Sequence, residues 1–313
     1  MTTRFQPTTI LSQPAASRLT ARIACLGFML LSCQALQAQT LVSYDTFTAT
    51  TINPERWYGE EGKQYGGSRV EAHRSVVNGQ LRIEAKGYAD KYSNTGTSTV
   101  RNAVVMPKSS LVTAMRATVT MRSYAVGSCA GNATASAVRA RLFGFFFNAG
   151  DGGTGGQYND VYAGIQLTRA SNSADGADVF RVVSFVGICT DDSCIGSSTL
   201  ASQDMGTTTL NTPVALQVAW DAAGNRFSFQ RDAETVVNLP YTVADTSTPS
   251  YDGKRLEISN QIAHCTASRV AVTGTADFDN VRTNALTALT ANAARKSSLA
   301  DDAKFDESIG RVD

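Results

Sequence analysis

From position 41 onward, apolar and polar residues alternate in short runs separated by turn residues, a period-two pattern that predicts β-strands. The clearest unit is Ser75-Val76-Val77, then Asn78-Gly79, then Gln80-Leu81-Arg82-Ile83-Glu84-Ala85. Asn-Gly accepts the positive φ of a type I′ turn, so this stretch reads as a two-residue hairpin. Leu111 to Arg122 alternates as a strand. Arg139 to Asn148 holds Leu142, Phe143, Phe145, Phe146 and Phe147 and ends at a glycine-rich loop, Ala149 to Gly156. Val161 to Thr168, Asp178 to Ile188 and Val214 to Trp220 follow the same style. Ala222 to Asn225 turns into the alternating run Arg226 to Arg231, and Leu256 to Ile262 and Val270 to Val281 complete the series. Roughly twelve short segments with regular turns, and almost no helical spacing, predict an all-β sandwich or barrel.

The two ends of the chain read differently. Residues 1–38 carry Arg4, Arg18 and Arg22 without an acid, then an apolar run from Ile23 to Leu31, then small residues up to Gln37-Ala38-Gln39. That order is a secretory signal peptide, with an apolar run too short to span a bilayer. It predicts export, to the periplasm or as a secreted protein. Leu30-Leu31-Ser32-Cys33 also resembles a lipobox, whose lipid anchor at Cys33 would make the chain an outer-membrane lipoprotein. Ordinary cleavage near Ala38 is the favoured reading. Residues 285–313 are rich in alanine, lysine and aspartate, with Leu286, Leu289, Leu299, Phe305 and Ile309 scattered. Such a segment buries too little apolar surface to order itself, and reads as a disordered or marginally helical tail. The folded domain is assigned to residues 39–284, and no stretch in it is apolar for long enough to be a transmembrane segment.

Charge narrows the partners. The chain has 28 basic and 27 acidic residues; removing the three arginines of the signal leaves 25 against 27, a formal charge of −2. No basic run or stripe stands out along the sequence, so no nucleic acid partner is expected. Outside the signal, four cysteines remain: Cys129, Cys189, Cys194 and Cys265. In an oxidising compartment they imply two disulfides, with three possible connectivities. Cys189-Thr-Asp-Asp-Ser-Cys194 closes easily on itself, which leaves Cys129 for Cys265. With only His73 and His264 beside them, these cysteines make a poor zinc set.

Both ends of the domain resemble the concanavalin A-like lectin/glucanase superfamily. The opening pattern is Leu41-Val-Ser-Tyr-Asp45-Thr-Phe47, Ile52-Asn-Pro-Glu-Arg-Trp57, Glu61 and Val76-Val77-Asn78-Gly79-Gln80-Leu81-Arg82-Ile83. The closing pattern is Ala276-Asp277-Phe278-Asp279-Asn280-Val281-Arg282. The resemblance implies an all-β, two-sheet antiparallel jelly-roll sandwich in which the first and last strands lie side by side. Phe47, Leu81, Ile83, Phe278 and Val281 are then core, with Trp57 packed beneath the loop that leads into the hairpin. It also implies a structural calcium ion where those strands meet, held by Asp279 and by backbone oxygens near Asp45 and Gly79.

Catalytic motifs are harder to find. The glucanase branch needs a Glu-x-Asp-x-x-Glu strand with two carboxylates about 5 Å apart, and no segment has that pattern. Glu60 and Glu61 are adjacent and point to opposite faces of a strand; Glu257 and Asp252 read as lying at either end of a turn. Arg69-Val-Glu71-Ala-His73-Arg74 and Gln261-Ile-Ala-His264 echo motifs of the alginate-lyase branch, but at the wrong spacing. His264, beside a cysteine, reads as a structural residue. There is no Gly-x-Ser-x-Gly elbow and no phosphate loop. Aromatic side chains that stack on sugar rings are candidates by type: Tyr158, Tyr162, Phe180, Trp220 and Tyr241. The expected function is therefore an exported non-enzymatic binding module for a polysaccharide or glycan. The alternatives are a divergent polysaccharide hydrolase or lyase and a structural cell-envelope or surface-assembly protein.

Overall fold

The computed structural model describes residues 39–64, 69–89, 91, 93–150 and 156–286. The expected signal sequence, Cys33 of the lipobox-like run and all but the first two residues of the expected tail lie outside them. Among the described residues fifteen strands follow one another. The first five are β1 (Val42–Asp45), β2 (Tyr58–Gln64), β3 (Arg69–Val77), β4 (Gln80–Tyr88) and β5 (Thr97–Met106). Next come β6 (Ala114–Val126), β7 (Ala137–Asn148), β8 (Asp160–Ala170), β9 (Val179–Cys189) and β10 (Ser197–Thr209). The last are β11 (Val214–Asp221), β12 (Arg226–Arg231), β13 (Val237–Pro240), β14 (Lys254–Ala263) and β15 (Ala271–Thr283). Among the described residues no helix is long and apolar enough to cross a membrane.

The strands form two antiparallel sheets. One runs β13-β12-β11-β6-β15-β4-β3, with β1 also paired to β15; the other runs β10-β9-β8-β7-β14-β5-β2. The opening and closing strands are neighbours, Val42 opposite Thr283 and Asp45 opposite Val281. The hairpin forms as read, with Val77 opposite Gln80 and both turn residues at positive φ, 52° for Asn78 and 74° for Gly79. In β4 every second residue points inward: Leu81, Ile83 and Ala85 are buried while Arg82 and Glu84 face out. Phe47, Leu81, Ile83, Phe278 and Val281 all lie in the core between the sheets. Burying a side chain such as Phe278 contributes about 1.5–3 kcal/mol. Trp57 is buried too, its indole N–H donating to Asp45 Oδ2 at 2.8 Å and its ring edge-on to Tyr44. Both expected disulfides are present, Cys129–Cys265 and Cys189–Cys194.

The structure corrects the sequence reading in places. The run from Leu111 begins with a 3-10 turn at Ser109–Leu111, and its strand starts only at Ala114. Four strands, β2, β5, β10 and β13, were not singled out by the pattern. In β10 the sequence SSTLASQDMGTTT is mostly polar because the strand is a sheet edge with little to bury. Glu257 does not end a turn: it is fully buried in the middle of β14, where two arginines supply its counter-charge.

Candidate functional site

Charge collects on the face of the second sheet that points away from the core. Parity along β14 sets it: Leu256, Ile258 and Ile262 belong to the core, so Arg255, Glu257, Ser259 and Gln261 point the other way. Antiparallel pairing fixes their neighbours. Ser259 lies between Arg101 of β5 and Arg139 of β7, Glu257 between Ala103 and Arg141, and Arg255 between Val105 and Phe143. Further along, Tyr162 of β8 stands opposite Phe145, and Phe185 of β9 opposite Gly164. Glu60 of β2 stands opposite Ala103 from the other side. Of these, Glu60, Arg101, Arg139, Arg141, Phe143, Phe145, Tyr162, Phe185, Arg255 and Ser259 line a groove of about 530 Å³, within the usual range of ligand sites, while Glu257 is fully buried and outside its lining.

One wall of the groove is aromatic. Phe143, Phe145, Tyr162, Phe185 and Tyr251 form a connected set, with Phe143 and Tyr162 centroids 5.2 Å apart and Phe145 and Tyr251 5.4 Å apart. Two glycines make room for it. A Cβ on Gly164 would lie 2.8 Å from the Phe185 ring, and one on Gly187 would collide with Tyr162. The Arg255 guanidinium sits over Phe143 at 4.4 Å, and Arg141 over the same ring at 4.9 Å.

The other wall is ionic. Glu257 Oε2 lies 2.9 Å from Arg255 Nε, and Oε1 meets Arg141 Nε. Burial alone would raise the Glu257 pKa, but Arg141, Arg255 and Arg101 outweigh it and hold the carboxyl below its ordinary value. Glu60 Oε1 lies 2.8 Å from Arg101 Nη2 and 3.4 Å from Arg255 Nη1, and Oε2 accepts the Tyr251 hydroxyl. Burial, then the negative charge of Glu60, pushes Tyr251 far above the ordinary tyrosine value. Burial also raises Tyr58, whose hydroxyl is 3.3 Å from that of Tyr251. Arg139 is different. It bonds Gln261 Oε1 at 2.8 Å and touches no carboxylate among the described residues; burial, then the like charge of Arg141, lowers it to about 10. At neutral pH it is still a cation.

Both oxygens of Glu60 are engaged by cationic or hydroxyl donors, whereas Glu257 Oε1 bonds Arg141 and Oε2, though 2.9 Å from Arg255 Nε, is buried without a hydrogen bond; the buried tyrosine stays protonated. A rim completes the groove. Ser193, Cys194 and Ile195 line it, on the short loop closed by the Cys189–Cys194 disulfide. Asp191 folds that loop by accepting the backbone N–H groups of Gly196, Ser193 and Ile195, which hold its carboxyl below the ordinary value.

Of the aromatic residues singled out in the sequence, Tyr162 is the one in the groove wall. Tyr158 is exposed in the loop before β8, next to the lining residue Gln157. Phe180 is fully buried. Trp220 stacks on Phe147 at 5.2 Å and donates its indole N–H to Tyr241 Oη at 2.9 Å, in the packing between the sheets. Phe143, Phe145, Phe185, Tyr251 and the four arginines were missed. Their signal was present: Arg139 and Arg141 share a parity with Phe143 and Phe145, so the charged residues mark the aromatic ones as outward-facing. The sequence shows no basic stripe because the sheet assembles one from β5, β7 and β14.

The segments expected to hold calcium meet at one edge, since Leu81 stands opposite Phe278 and Asp45 opposite Val281. Asp45 spends both carboxylate oxygens on Phe47 N–H and Trp57 Nε1–H, each at 2.8 Å. Asp279 sits at a bulge beside Asn280, which has φ 51°, and accepts its backbone N–H at 2.6 Å. No three His, Cys, Asp or Glu side chains converge among the described residues. The Asn280 side-chain amide donates to Asp279 Oδ2 at 3.0 Å, so both oxygens of Asp279, like those of Asp45, are already hydrogen-bonded. Elsewhere, Glu71 pairs with Lys86 at 3.3 Å on the first sheet, and His264 Nε2 lies 2.8 Å from Ser98 Oγ as a buried structural contact.

No family model matches the chain, and no curated protein matches it. Similar solved structures include the catalytic domain of an endo-1,3-beta-glucanase (laminarinase) from Thermotoga petrophila RKU-1. Its identity is 10%, with 78% of this chain and 96% of that one covered at a TM-score of 0.43. Alginate lyase Aly36B is 11% identical, covering 80% of this chain and 97% of that one at 0.42. The carbohydrate recognition domain of Emp47p is 14% identical, covering 78% and 98% at 0.32. At these identities and TM-scores the likenesses carry no argument for the chemistry of the groove.

Proposed function

We propose that the protein is an exported, non-enzymatic binding module that holds a polysaccharide or glycan in the groove of the second sheet. One observation carries this reading: a connected aromatic wall faces a polar, hydrogen-bonding wall within a single open groove. A sugar ring has an apolar face that stacks on aromatic rings and a rim of hydroxyls that bonds polar side chains, and the two walls match those two surfaces. The pairing of Glu60 with Arg101 and the Tyr251 hydroxyl, and of Glu257 with Arg141 and Arg255, supports binding over hydrolysis. A structural calcium ion at Asp279 and the main-chain oxygens near Asp45 and Gly79 belongs to the same reading, as a clamp on the closing strands away from the groove.

The test is a glycan array probed with the chain from residue 39. Binding that falls at least about tenfold in Tyr162→Ala and Phe185→Ala, with the fold intact, supports the reading. In parallel, a polysaccharide panel is assayed for new reducing ends and for unsaturated products. Turnover that disappears in Glu60→Gln or Tyr251→Phe would replace the binding module with an enzyme.

A further inference from the structure

Four guanidiniums that line the groove, those of Arg101, Arg139, Arg141 and Arg255, meet two carboxylates, Glu60 in the lining and the fully buried Glu257. Two positive charges are therefore left over in a partly desolvated place. The surplus is not spread evenly. Arg141 and Arg255 share Glu257, and Arg101 and Arg255 share Glu60, while Arg139 has an amide for its partner. Ser259 stands on the strand between Arg101 and Arg139, directly paired with both. It is 1% exposed, lines the groove, and its hydroxyl has no hydrogen-bond partner. Arg101 Nε is likewise buried without a partner. Unmet buried donors are costly, so a cluster of them within one small area points to a missing acceptor.

We infer that Arg101, Ser259 and Arg139 form an anion subsite, and that the glycan held by the groove is acidic, carrying a carboxylate or a sulfate ester. The inference rests on the glycan-binding reading and names the chemical class of its ligand. Adjacent strands are about 4.8 Å apart, so the two arginines flank Ser259 at about 10 Å across the sheet. Both side chains line the groove together with Ser259. Guanidinium groups are donors without an acceptor and match the two-oxygen edge of a carboxylate or sulfate. A neutral hydroxyl would fill one of these donors and leave the surplus charge uncompensated. An anionic group satisfies the Ser259 hydroxyl, Arg101 Nε–H and the free side of Arg139 at once.

The experiment is calorimetric titration of the chain from residue 39 with three matched groups of oligosaccharides: uronate-bearing, sulfate-bearing and neutral. Each uronate is paired with its methyl ester, which keeps the skeleton and removes the charge. Binding to an acidic member, weakened at least about tenfold by esterification or desulfation and by raised salt, supports the inference. The uronate and sulfate arms show which anion is used. Arg139→Gln and Ser259→Ala should each weaken that binding about tenfold or more, and Arg139→Lys should restore part of it; unchanged melting temperatures exclude misfolding. Equal binding of acid and ester, unaffected by these variants, would overturn the acidic assignment and leave the glycan reading standing. No binding to any group would bring both down.

Discussion

Lys254 offers a stringent thermodynamic test of the fold around the groove. It is the first residue of β14, 1% exposed, on the inward side of the strand that presents Arg255 and Glu257 outward. Its ammonium donates to the Phe145 and Asp252 carbonyls and lies 4.6 Å from the Phe146 ring centroid. Burial lowers its pKa from 10.5 to about 7, with Asp252 opposing only in part. The folded value is thus below the unfolded one. Between the two, the unfolded chain binds the proton and the folded chain does not, so stability rises with pH across that window. The shift of roughly 3.5 units is worth about 5 kcal/mol in full, of which about 3 kcal/mol falls between about pH 6.5 and 9.5. Lys254→Met keeps the length and removes the charge. It should be more stable than wild type at the acidic end, with the difference shrinking by about 3 kcal/mol toward the alkaline end. For a domain of this size that corresponds to about 6–12 °C in melting temperature. The assay is paired thermal melts of wild type and variant, whose difference cancels groups common to both. A difference that changes by less than about 2 °C across the window would refute the buried lysine.

Further tests address the groove and its supports. Glu257→Gln removes the counter-ion of two guanidiniums and should cost about 3–5 kcal/mol by urea unfolding. Because the folded pKa of Glu257 lies below the unfolded one, its contribution is present above the ordinary glutamate value and lost as pH falls through the folded value. The variant should therefore lose part of the acid limb of the stability profile. The Cys129–Cys265 bridge spans 136 residues and the Cys189–Cys194 bridge five. Paired Cys→Ser changes should cost about 5 kcal/mol for the first and about 2 kcal/mol for the second, with ligand affinity falling only for the second, which shapes the groove rim. Millimolar calcium should raise the melting temperature and a chelator should lower it, with the response lost in Asp279→Asn; a wild type indifferent to both would remove calcium from the account.

Much of the fold could be read from the sequence because its strands with one wet face alternate. The run Gln80 to Ala85 and the run Arg226 to Arg231 announce both their conformation and their core residues. The pairing of β1 with β15, implied by the resemblance of the two ends, and both disulfide bridges are present in the structure. The edge strand β10 was hidden because an edge buries little, and β7 hid its own orientation. Phe143 and Phe145 face the groove while Phe146 and Phe147 face the core, and a nearly continuous phenylalanine run erases the parity that distinguishes them. The groove was the least legible part. Its arginines lie on three strands separated by up to 154 positions, from Arg101 to Arg255, and only sheet pairing brings them together. Trp220 illustrates the converse: residue type suggested a sugar platform, whereas its indole completes the packing between the sheets.

Hydrogen exchange of the chain from residue 39, with and without a glycan that binds it, locates the binding face strand by strand. New protection is expected in β5, β7, β14 and the Asp191–Gly196 rim. The shallow face around His73, Glu84 and Thr275 on the first sheet should stay unchanged. Protection confined to that other face, with β7 and β14 unaffected, would contradict binding in the groove.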